Sequence, residues 1–203
     1  MKIAVTGASG RAGACITAEL ARRGHSVTGI ARNPDKIAKL ANVTAVAGDA
    51  NDRAALAKLW AGHDAAVSSI HFLVSDVEAL IGAAKDSGVP RYLVVGGAGS
   101  LEVAPGVRLV TTPNFPPQYK AEAEKGAAFL DRLKLENELN WTFLSPSALF
   151  EAGNRTGKFR LGADQLLVDA TGKSWISFED FAVAMADEIE RPAHIRKRFT
   201  VGY

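Results

Sequence analysis

Residues 6–13 read TGASGRAG and directly follow the apolar run 2–5. Gly7, Gly10 and Gly13 recur at three-residue spacing, the pattern of a dinucleotide-binding turn between a strand and a helix. The first glycine makes the turn, the second lets a pyrophosphate approach the backbone, and the third lets the helix pack closely. Free N–H groups and the dipole at the helix start favour the phosphates. A turn without a ligand is the alternative, but the sequence favours a dinucleotide site formed by Gly7, Ser9, Gly10, Arg11, Ala12 and Gly13.

The first half of the chain alternates short apolar runs with amphipathic stretches. Strands that are apolar throughout are typical of a parallel sheet that helices cover on both faces. The chain is therefore predicted to be an α/β protein with a doubly wound parallel sheet. The predicted strands cover 2–6, 26–31, 43–47 and 91–95, and one more begins at Ala65. Two predicted helices cover 11–23 and 52–60. Asn33-Pro34 is predicted to open another helix, and Ser75 to cap one that runs through Lys85.

The pattern changes after the fifth predicted strand. Residues 97–117 contain four prolines and show no periodicity, and a loop of about twenty residues is usually functional or disordered. This loop leaves the carboxyl edge of the sheet, where such folds bind ligands. The remaining predicted elements form a small C-terminal extension on the substrate side: a helix over 118–137, strands over 141–145 and 199–202, a hairpin of 158–161 with 165–168, and a last helix opened by Ser177.

Length and composition limit the classes of protein. The 203 residues suffice for one domain, 1–203, and not for two. A net charge of +2 gives no reason to expect nucleic acid as a partner, and Arg191–Arg198 is interpreted as a solvated helix end. No apolar run approaches the ~18–20 residues of a membrane span. Because a strand is predicted from residue 2, we expect no signal peptide and a cytoplasmic protein.

Cysteine and histidine usage argues against a metal. The single cysteine, Cys15, excludes an internal disulfide and a cysteine-based metal site. Its position in the first predicted helix favours a buried, inert thiol. His25, His63 and His194 form no constellation, and no carboxylate pairs with a histidine at the spacing of metal ligands. We therefore predict no metal.

The residue after the second predicted strand decides which dinucleotide is preferred. A site for NAD(H) usually carries an acidic residue there to bind the ribose hydroxyls, whereas this chain has Ala31-Arg32. A guanidinium pairs with a 2′-phosphate, which a carboxylate repels. Arg11, in the glycine loop, is predicted to reach the same region. The hypothesis is that NADP(H) is preferred and NAD(H) remains an option; the alternative for Arg32 is a surface arginine beside Asp35.

Further cofactor contacts are expected where the other predicted strands reach the carboxyl edge of the sheet. The third strand would end near the adenine ring and the fourth near the ribose and phosphates, while the fifth ends in glycines that would leave room for the nicotinamide. Asp49 is equally well explained as the N-cap of the helix that follows. The predicted contacts are Asp49, Ala50, Ser68, Ser69, Ile70, Gly96 and Gly97.

Four stretches together carry a family resemblance: TGASGRAG at 6–13, Gly48-Asp49, VVGGAGS at 94–100 and WTFLSP at 141–146. The chain resembles an atypical short-chain dehydrogenase/reductase. Within that superfamily it is similar to the NmrA-like, NAD(P)H-binding branch, which includes flavin reductases of the biliverdin-IXβ reductase type. The resemblance extends over essentially the whole chain. It implies a Rossmann fold with an NAD(P)(H) site, and a substrate pocket built by the long loop and the C-terminal region.

Active members of that superfamily use a tyrosine and a lysine in the pattern YxxxK, which places both on one helix face. Here the position four after Tyr119 is Ala123, so tyrosine-based carbonyl reduction is not expected. Hydride transfer to a flavin or quinone depends mainly on the cofactor and on orientation, so a weak proton donor suffices. Candidate donors are Ser100, Tyr119, Lys120 and His71; for His71 a packed or capping role is the alternative.

These observations leave three hypotheses about function. The leading one is an NADPH-dependent reductase of a flavin, quinone or similar flat acceptor, with a small-molecule acceptor as its partner and with a monomer or homodimer as its assembly. The second is a non-catalytic NADP(H)-sensing regulatory protein that binds a partner, as the NmrA resemblance implies. The third, an isomerase or dehydratase acting on a nucleotide-linked sugar, is disfavoured because the C-terminal part is short and YxxxK is absent.

Overall fold

A computed structural model describes all 203 residues, in twelve strands and five helices. The strands are β1 (Lys2–Thr6), β2 (Ser26–Ala31), β3 (Val43–Ala47), β4 (Ala65–Ser68), β5 (Tyr92–Val95), β6 (Glu102–Ala104), β7 (Val107–Arg108), β8 (Trp141–Pro146), β9 (Leu149–Glu151), β10 (Arg160–Gly162), β11 (Trp175–Ser177) and β12 (Lys197–Gly202). The helices are α1 (Arg11–Arg22), α2 (Arg53–Trp60), α3 (Val77–Ser87), α4 (Pro117–Lys134) and α5 (Phe178–Glu190).

Eight of the strands form one sheet in the order β10-β12-β8-β5-β4-β1-β2-β3. All neighbours in it are parallel except β10, which runs antiparallel to β12. From β1 the chain builds outward through β2 and β3, then returns to the other side of β1 with β4 and β5. The carboxyl ends of β1 and β4 therefore border a crevice at the point where the direction of winding reverses. The predicted doubly wound α/β fold is confirmed.

Helices cover both faces of this sheet. On one face, Ile16 and Leu20 of α1 pack with Phe181 of α5 against the apolar side chains of the strands. On the other, Trp60 of α2 and the strand residue Tyr92 belong to a second apolar cluster with α3 and α4. Burying side chains of this size stabilises a fold by about 1.5–3 kcal/mol each relative to exposing them. None of the helices has both the length and the apolar content needed to cross a membrane.

Of two predicted helix starts in the first half, the Asn33 cap with proline at the first helical position is confirmed, and the Ser75 cap is wrong. Asn33-Pro34 opens only a short 3₁₀ turn, Pro34–Lys36, in which the Asn33 side chain accepts the N–H of Asp35 at 3.1 Å. Helix α3 is capped by Asp76, whose carboxylate accepts the N–H groups of Glu78 at 2.9 Å and Ala79 at 3.2 Å. The neighbouring Ser75 hydroxyl instead donates to the carbonyl of Phe72. A carboxylate at the helix start also interacts favourably with the helix dipole.

The predicted hairpin of 158–161 with 165–168 is also wrong. Strand β10 pairs with β12, bringing Leu161 opposite Val201, and of the second segment only Gln165 forms a bridge, with Glu102 of β6. Strands β9 and β11 form a small parallel sheet that the sequence did not predict. The loop 97–117 contains the antiparallel pair β6–β7. The β10–β12 and β9–β11 pairings join segments far apart in sequence, which local patterns do not reveal, whereas β6 and β7 are neighbours in the chain.

The basic stretch near the end of the chain is not a solvated helix end. Helix α5 ends at Glu190, and Arg198 lies within β12. The Arg198 side chain is buried and its guanidinium pairs with the carboxylate of Asp164. A buried guanidinium requires such a partner. The predicted cap of α5 is confirmed, since the Ser177 hydroxyl accepts the N–H of Asp180 at 3.0 Å.

Candidate functional site

The glycine turn after β1 is fixed by contacts with both neighbouring strands. Gly7 adopts φ +86°, a left-handed conformation that favours glycine. The N–H groups of Gly7 and Ala8 donate to the carbonyl of Ile30 in β2, at 2.8 and 3.2 Å. On the other side, a Cβ placed on Gly7 would lie 2.1 Å from the carbonyl oxygen of Ser69, which follows β4. The turn therefore has no room for a side chain at Gly7.

The other two glycines of the motif have different surroundings. A Cβ on Gly13 would lie 2.1 Å from the carbonyl oxygen of Gly7, so the start of α1 packs directly on the turn. A Cβ on Gly10 would have one neighbour within 4 Å, the Gly7 oxygen at 3.2 Å. Gly7 and Gly13 are thus required by the protein's own packing, whereas the backbone at Gly10 borders open space that a ligand can enter.

The first turn of α1 presents hydrogen-bond donors without acceptors. Gly10 occupies the N-cap position and supplies no side-chain cap, and the first turn contains no acidic residue. The backbone N–H groups of Arg11 and Ala12 have no acceptor in the protein. Such a helix start, next to a backbone open to ligand, fits the pyrophosphate of a dinucleotide.

Two arginines at this crevice lack partners within the protein. Eleven of the thirteen arginines form an ion pair or a side-chain hydrogen bond. The two that form neither are Arg11 and Arg32, and both are exposed. The guanidinium carbon of Arg11 lies 5.6 Å from the centre of the Phe178 ring, and Arg32 follows directly on β2. No carboxylate pairs with Arg32, so the alternative of an Asp35 partner is not observed.

The predicted adenine-side residues lie at the end of β3. Asp49 is exposed, and its carboxylate accepts the N–H of Asn51 at 2.9 Å. The N-cap of α2 is instead Asp52, which accepts the N–H of Ala55 at 3.0 Å, so the capping alternative for Asp49 is wrong. Ala50 is buried. Asp49 remains open to solvent at the carboxyl edge of the sheet.

At the end of β4 the predicted contacts divide into a buried hydroxyl and two residues against the glycine turn. The Ser68 hydroxyl is hydrogen-bonded to the Tyr92 hydroxyl at 2.9 Å, inside the core. The N–H of Ser69 donates to the carbonyl of Thr6 at 2.8 Å. The side chain of Ile70 approaches Gly7. Ser69 and Ile70 therefore lie close to the glycine turn, whereas the Ser68 hydroxyl is already hydrogen-bonded to Tyr92 within the core.

The glycines at the end of β5 are explained partly by packing. A Cβ on Gly96 would lie 2.3 Å from Cε1 of Phe143, so this ring occupies the space that we expected to be left for the nicotinamide. A Cβ on Gly97 would be 3.4 Å from Cε2 of Phe72, at ordinary contact distance. Gly97 thus lies beside the loop that follows β4.

That loop is held by Glu122 of α4, a residue that the sequence analysis missed. The Glu122 carboxylate accepts the N–H groups of Phe72 at 2.7 Å and Leu73 at 2.9 Å, and His71 Nδ1 lies 3.3 Å from its Oε1. On the opposite side, Asn51 donates to the carbonyl of Val74 at 2.9 Å. An acidic residue near a helix start gives no sequence signal for such a contact, since its partners lie about fifty positions earlier.

The structure separates the four candidate proton donors. Ser100 is buried, and its hydroxyl accepts from Nη1 of Arg198 at 3.4 Å. Tyr119 and Lys120, at the start of α4, are exposed. His71 has a side chain that is 78% exposed, so it is not packed, and the ring of its neighbour Phe72 lies beside Gly97. Of the four, His71 lies on the loop beside the end of β5, while Ser100 lies against β12.

Packing explains why position 99, beside Ala123, is a glycine. A Cβ on Gly99 would lie 2.7 Å from the Cβ of Ala123. Helix α4 therefore lies directly against the loop after β5 at this point.

The remaining histidines and the cysteine have roles in packing. His25 is hydrogen-bonded to Glu190, His63 to Thr28 and His194 to Glu188, each at 2.8 Å. Burial, together with the charge of Glu179, raises the pKa of the half-buried Cys15 thiol. No group of three or more histidine, cysteine or acidic side chains is arranged to hold a metal ion.

Comparison with known proteins identifies close relatives. A family model described as NAD(P)H-binding matches residues 7–192. The chain is 42% identical over 209 aligned positions to "Uncharacterized protein YwnB" of Bacillus subtilis (strain 168), and the alignment covers 99% of this chain and 98% of that protein.

Two similar solved structures carry names of different activities. One, from Bacteroides thetaiotaomicron, is called a "putative epimerase"; it is 38% identical with a TM-score of 0.95, and the match covers 100% of this chain and 96% of that one. The other, from Streptococcus pneumoniae, is called a "putative NADH-flavin reductase"; it is 34% identical with a TM-score of 0.85, covering 100% of this chain and 99% of that one. One fold hosts many reactions, so the chemistry has to be argued from the site.

Proposed function

Since this chain belongs to the NAD(P)H-binding family, we propose that it is an NADPH-dependent reductase of a flavin, quinone or similar flat acceptor. The glycine turn and the open first turn of α1 bind the pyrophosphate. The acceptor binds at the carboxyl ends of β4 and β5, below the loop 97–117. When bound, NADPH supplies the hydride.

The observation that carries the cofactor preference is the pair of guanidinium groups without partners, Arg11 and Arg32. Every other arginine is neutralised or hydrogen-bonded within the protein, so these two are free for a ligand. Arg32 stands at the end of β2, where a carboxylate would serve the ribose hydroxyls of NAD(H). A 2′-phosphate offers two such cations a charge-assisted, bidentate partner.

A flat, largely apolar acceptor is favoured by the side chains at this edge of the sheet. Leu73, Val74 and Tyr119 are each more than half exposed, and Leu73 is tied to the same helix that carries Tyr119. Apolar side chains gathered around a polar crevice are typical of a ligand site. The flavin-reductase name of the Streptococcus pneumoniae relative supports the same class of acceptor.

The cofactor preference is tested by the dissociation constants of NADPH and NADH for the wild type, Arg32→Ala and Arg191→Ala. Arg191 is a matched control because its side chain is 79% exposed and lies at the far end of α5. Loss of a hydrogen-bonded charge pair should weaken NADPH binding about 10-fold or more in Arg32→Ala and leave NADH binding within about 2-fold. Equal affinities of the wild type for the two cofactors would contradict the preference.

The reductase activity is tested by following NADPH oxidation with FMN, riboflavin and quinones as acceptors. We expect turnover with at least one of them. Tight NADPH binding without turnover of any acceptor would instead favour the NADP(H)-sensing regulatory protein, whose partner would cover the exposed apolar residues at the crevice.

A further inference from the structure

The contact between Glu122 and the loop after β4 brings together one carboxylate and three consecutive residues. Oε1 accepts the Phe72 N–H at 2.7 Å and faces His71 Nδ1 at 3.3 Å, while Oε2 accepts the Leu73 N–H at 2.9 Å. No lysine or arginine pairs with Glu122, whose one ionic partner is His71. The carboxylate therefore serves this loop alone.

Only one nitrogen of the His71 ring is engaged. Nδ1 faces Glu122, whereas Nε2 has no partner in the protein. A carboxylate on Nδ1 holds the proton there and fixes the orientation of the ring. The same arrangement, a histidine oriented by a carboxylate on one nitrogen, allows the other nitrogen to exchange protons with a substrate.

The loop lies where the proposed acceptor binds. The Phe72 ring lies beside Gly97, just after β5, and Ser69 lies against the glycine turn. Asn51 holds the far end of the loop through the Val74 carbonyl at 2.9 Å and the Asp76 N–H at 2.8 Å. The loop is thus fixed on both sides, so that His71 projects from a positioned backbone although its side chain is exposed.

From this geometry we infer that His71 donates the proton in the reduction and that Glu122 is its positioning residue. The inference rests on the proposed reductase function. Of the other candidate donors, Ser100 is buried against Arg198, and Tyr119 has no lysine four residues on, on the same helix face.

The proton and electron balance of the step is simple. As the acceptor receives the hydride, the N–H bond at His71 Nε2 breaks and an N–H or O–H bond of the reduced acceptor forms. The acceptor gains two electrons and two hydrogens, and the nicotinamide is oxidised. The imidazolium becomes a neutral ring that keeps its proton on Nδ1 beside Glu122, and a proton taken up from the solvent restores the N–H bond at Nε2, so that each turnover consumes one proton.

The test uses the full chain with the variants His71→Gln, Glu122→Gln and, as a matched control, Glu124→Gln. Glu124 is exposed on the same helix and has no ionic or hydrogen-bond partner. NADPH affinity should stay within about 2-fold of the wild type in all three. The kcat with the best acceptor should fall about 10-fold or more in His71→Gln and in Glu122→Gln, and it should be unchanged in Glu124→Gln.

A second readout does not depend on turnover. Two-bond ¹H–¹⁵N spectra of the neutral His71 ring should show the proton on Nδ1 in the wild type and a shift toward Nε2, the form that free imidazole side chains prefer, in Glu122→Gln. If Glu122 only held the loop in place, Glu122→Gln would leave the proton on Nδ1 of His71 unless the loop itself moved.

The outcomes separate the two ideas. A wild type that reduces no acceptor overturns the proposed function and, with it, the proton donation. A wild type that reduces an acceptor, together with a His71→Gln variant of unchanged kcat, overturns this inference and leaves the proposed function standing. A neutral His71 with its proton on Nε2 in the wild type overturns the positioning role of Glu122.

Discussion

The two ends of helix α1 differ in whether their arginines have carboxylate partners. At its start, Gly10 supplies no side-chain cap and Arg11 has no carboxylate partner. In its second half the buried carboxylate of Glu19 accepts hydrogen bonds from three guanidinium groups, each with its shortest contact at 2.8 Å, those of Arg22, Arg23 and Arg155. The guanidinium groups that join α1 to α5 and to the segment between β9 and β10 are neutralised by carboxylates, whereas that of Arg11 at the start of α1 is not.

The Glu19 cluster connects three parts of the chain. Arg23 also donates to Asp187 at 2.8 Å and to Glu190 at 2.7 Å, both on α5. Arg155 belongs to the segment between β9 and β10, so the extension is anchored on α1 through Glu19. An ion network with many hydrogen bonds of good geometry stabilises a fold more than isolated surface pairs do.

The largest effect is expected from a methyl group where the start of α1 meets the turn. In Gly13→Ala the new Cβ would lie 2.1 Å from the Gly7 oxygen, and both belong to backbone that cannot move freely. The free energy of unfolding should fall by about 3 kcal/mol, as measured by urea denaturation.

Gly10→Ala is the matched variant. Its Cβ would meet only the Gly7 oxygen at 3.2 Å, so the free energy of unfolding should change by about 1 kcal/mol or less. NADPH binding should nevertheless weaken, because the methyl group would occupy the space proposed for the pyrophosphate. A stable Gly13→Ala protein, or unchanged NADPH affinity in Gly10→Ala, would contradict this division of the motif.

Removing the charge of Glu19 should disrupt the ion pairs near the C-terminal end of α1. Glu19→Gln leaves three guanidinium groups around an uncharged amide, and the side chain is 4% exposed. We expect a loss of about 3 kcal/mol in the free energy of unfolding, since breaking a buried charge network leaves uncompensated charge. Glu124→Gln, on the exposed face of α4, should change it by less than about 0.5 kcal/mol. Equal stabilities of the two variants would show that the cluster contributes nothing.

The same carboxylate predicts a dependence of stability on pH. Burial of the Glu19 carboxyl acts to raise its pKa. Hydrogen bonds from Arg155, Arg22 and Arg23 outweigh this effect and hold the pKa of Glu19 well below its usual range. A carboxyl with a lower pKa in the folded state stabilises the fold above its unfolded pKa of about 4.3, and that stability is lost as the pH falls further. The difference in unfolding free energy between wild type and Glu19→Gln should therefore be full near neutral pH and shrink below about pH 4. A constant difference down to pH 2 would argue against the shift.

The smallest effects are expected from single arginine substitutions, one at each end of α1, and these should distinguish the two ends by NADPH affinity and by stability. Arg11→Gln should weaken NADPH binding by about 3- to 10-fold with little change in stability, because Arg11 pairs with no protein group. Arg22→Gln removes one of three partners of Glu19 from an exposed position; it should cost about 0.5 kcal/mol of stability and leave NADPH affinity unchanged. Calorimetric titration and urea denaturation measure the two quantities. Identical profiles for these variants would refute the distinction between the two ends.

Much of the fold could be predicted because its signals are local. Strands β2 and β3 have the predicted bounds, 26–31 and 43–47, since each is a short apolar run between turn residues. Helix α5 begins at the predicted Ser177 cap. The C-terminal extension could not be predicted in the same way. Strand β10 pairs with β12 and not with the segment 165–168, and no local pattern in these short runs indicates which strand each will pair with.

The sequence by itself determined that α1 begins at a glycine turn, that Arg32 and not a carboxylate follows β2, and that position 123 lacks a lysine. Only the tertiary structure decided that Gly7 and Gly13 serve packing while Gly10 stays open, and that Arg11 and Arg32 have no partners. It also brought Glu122 to His71 across some fifty positions of sequence. The physical reason is that spacing along the chain fixes turns and helix faces, whereas a charge acquires its partner only when distant segments pack together.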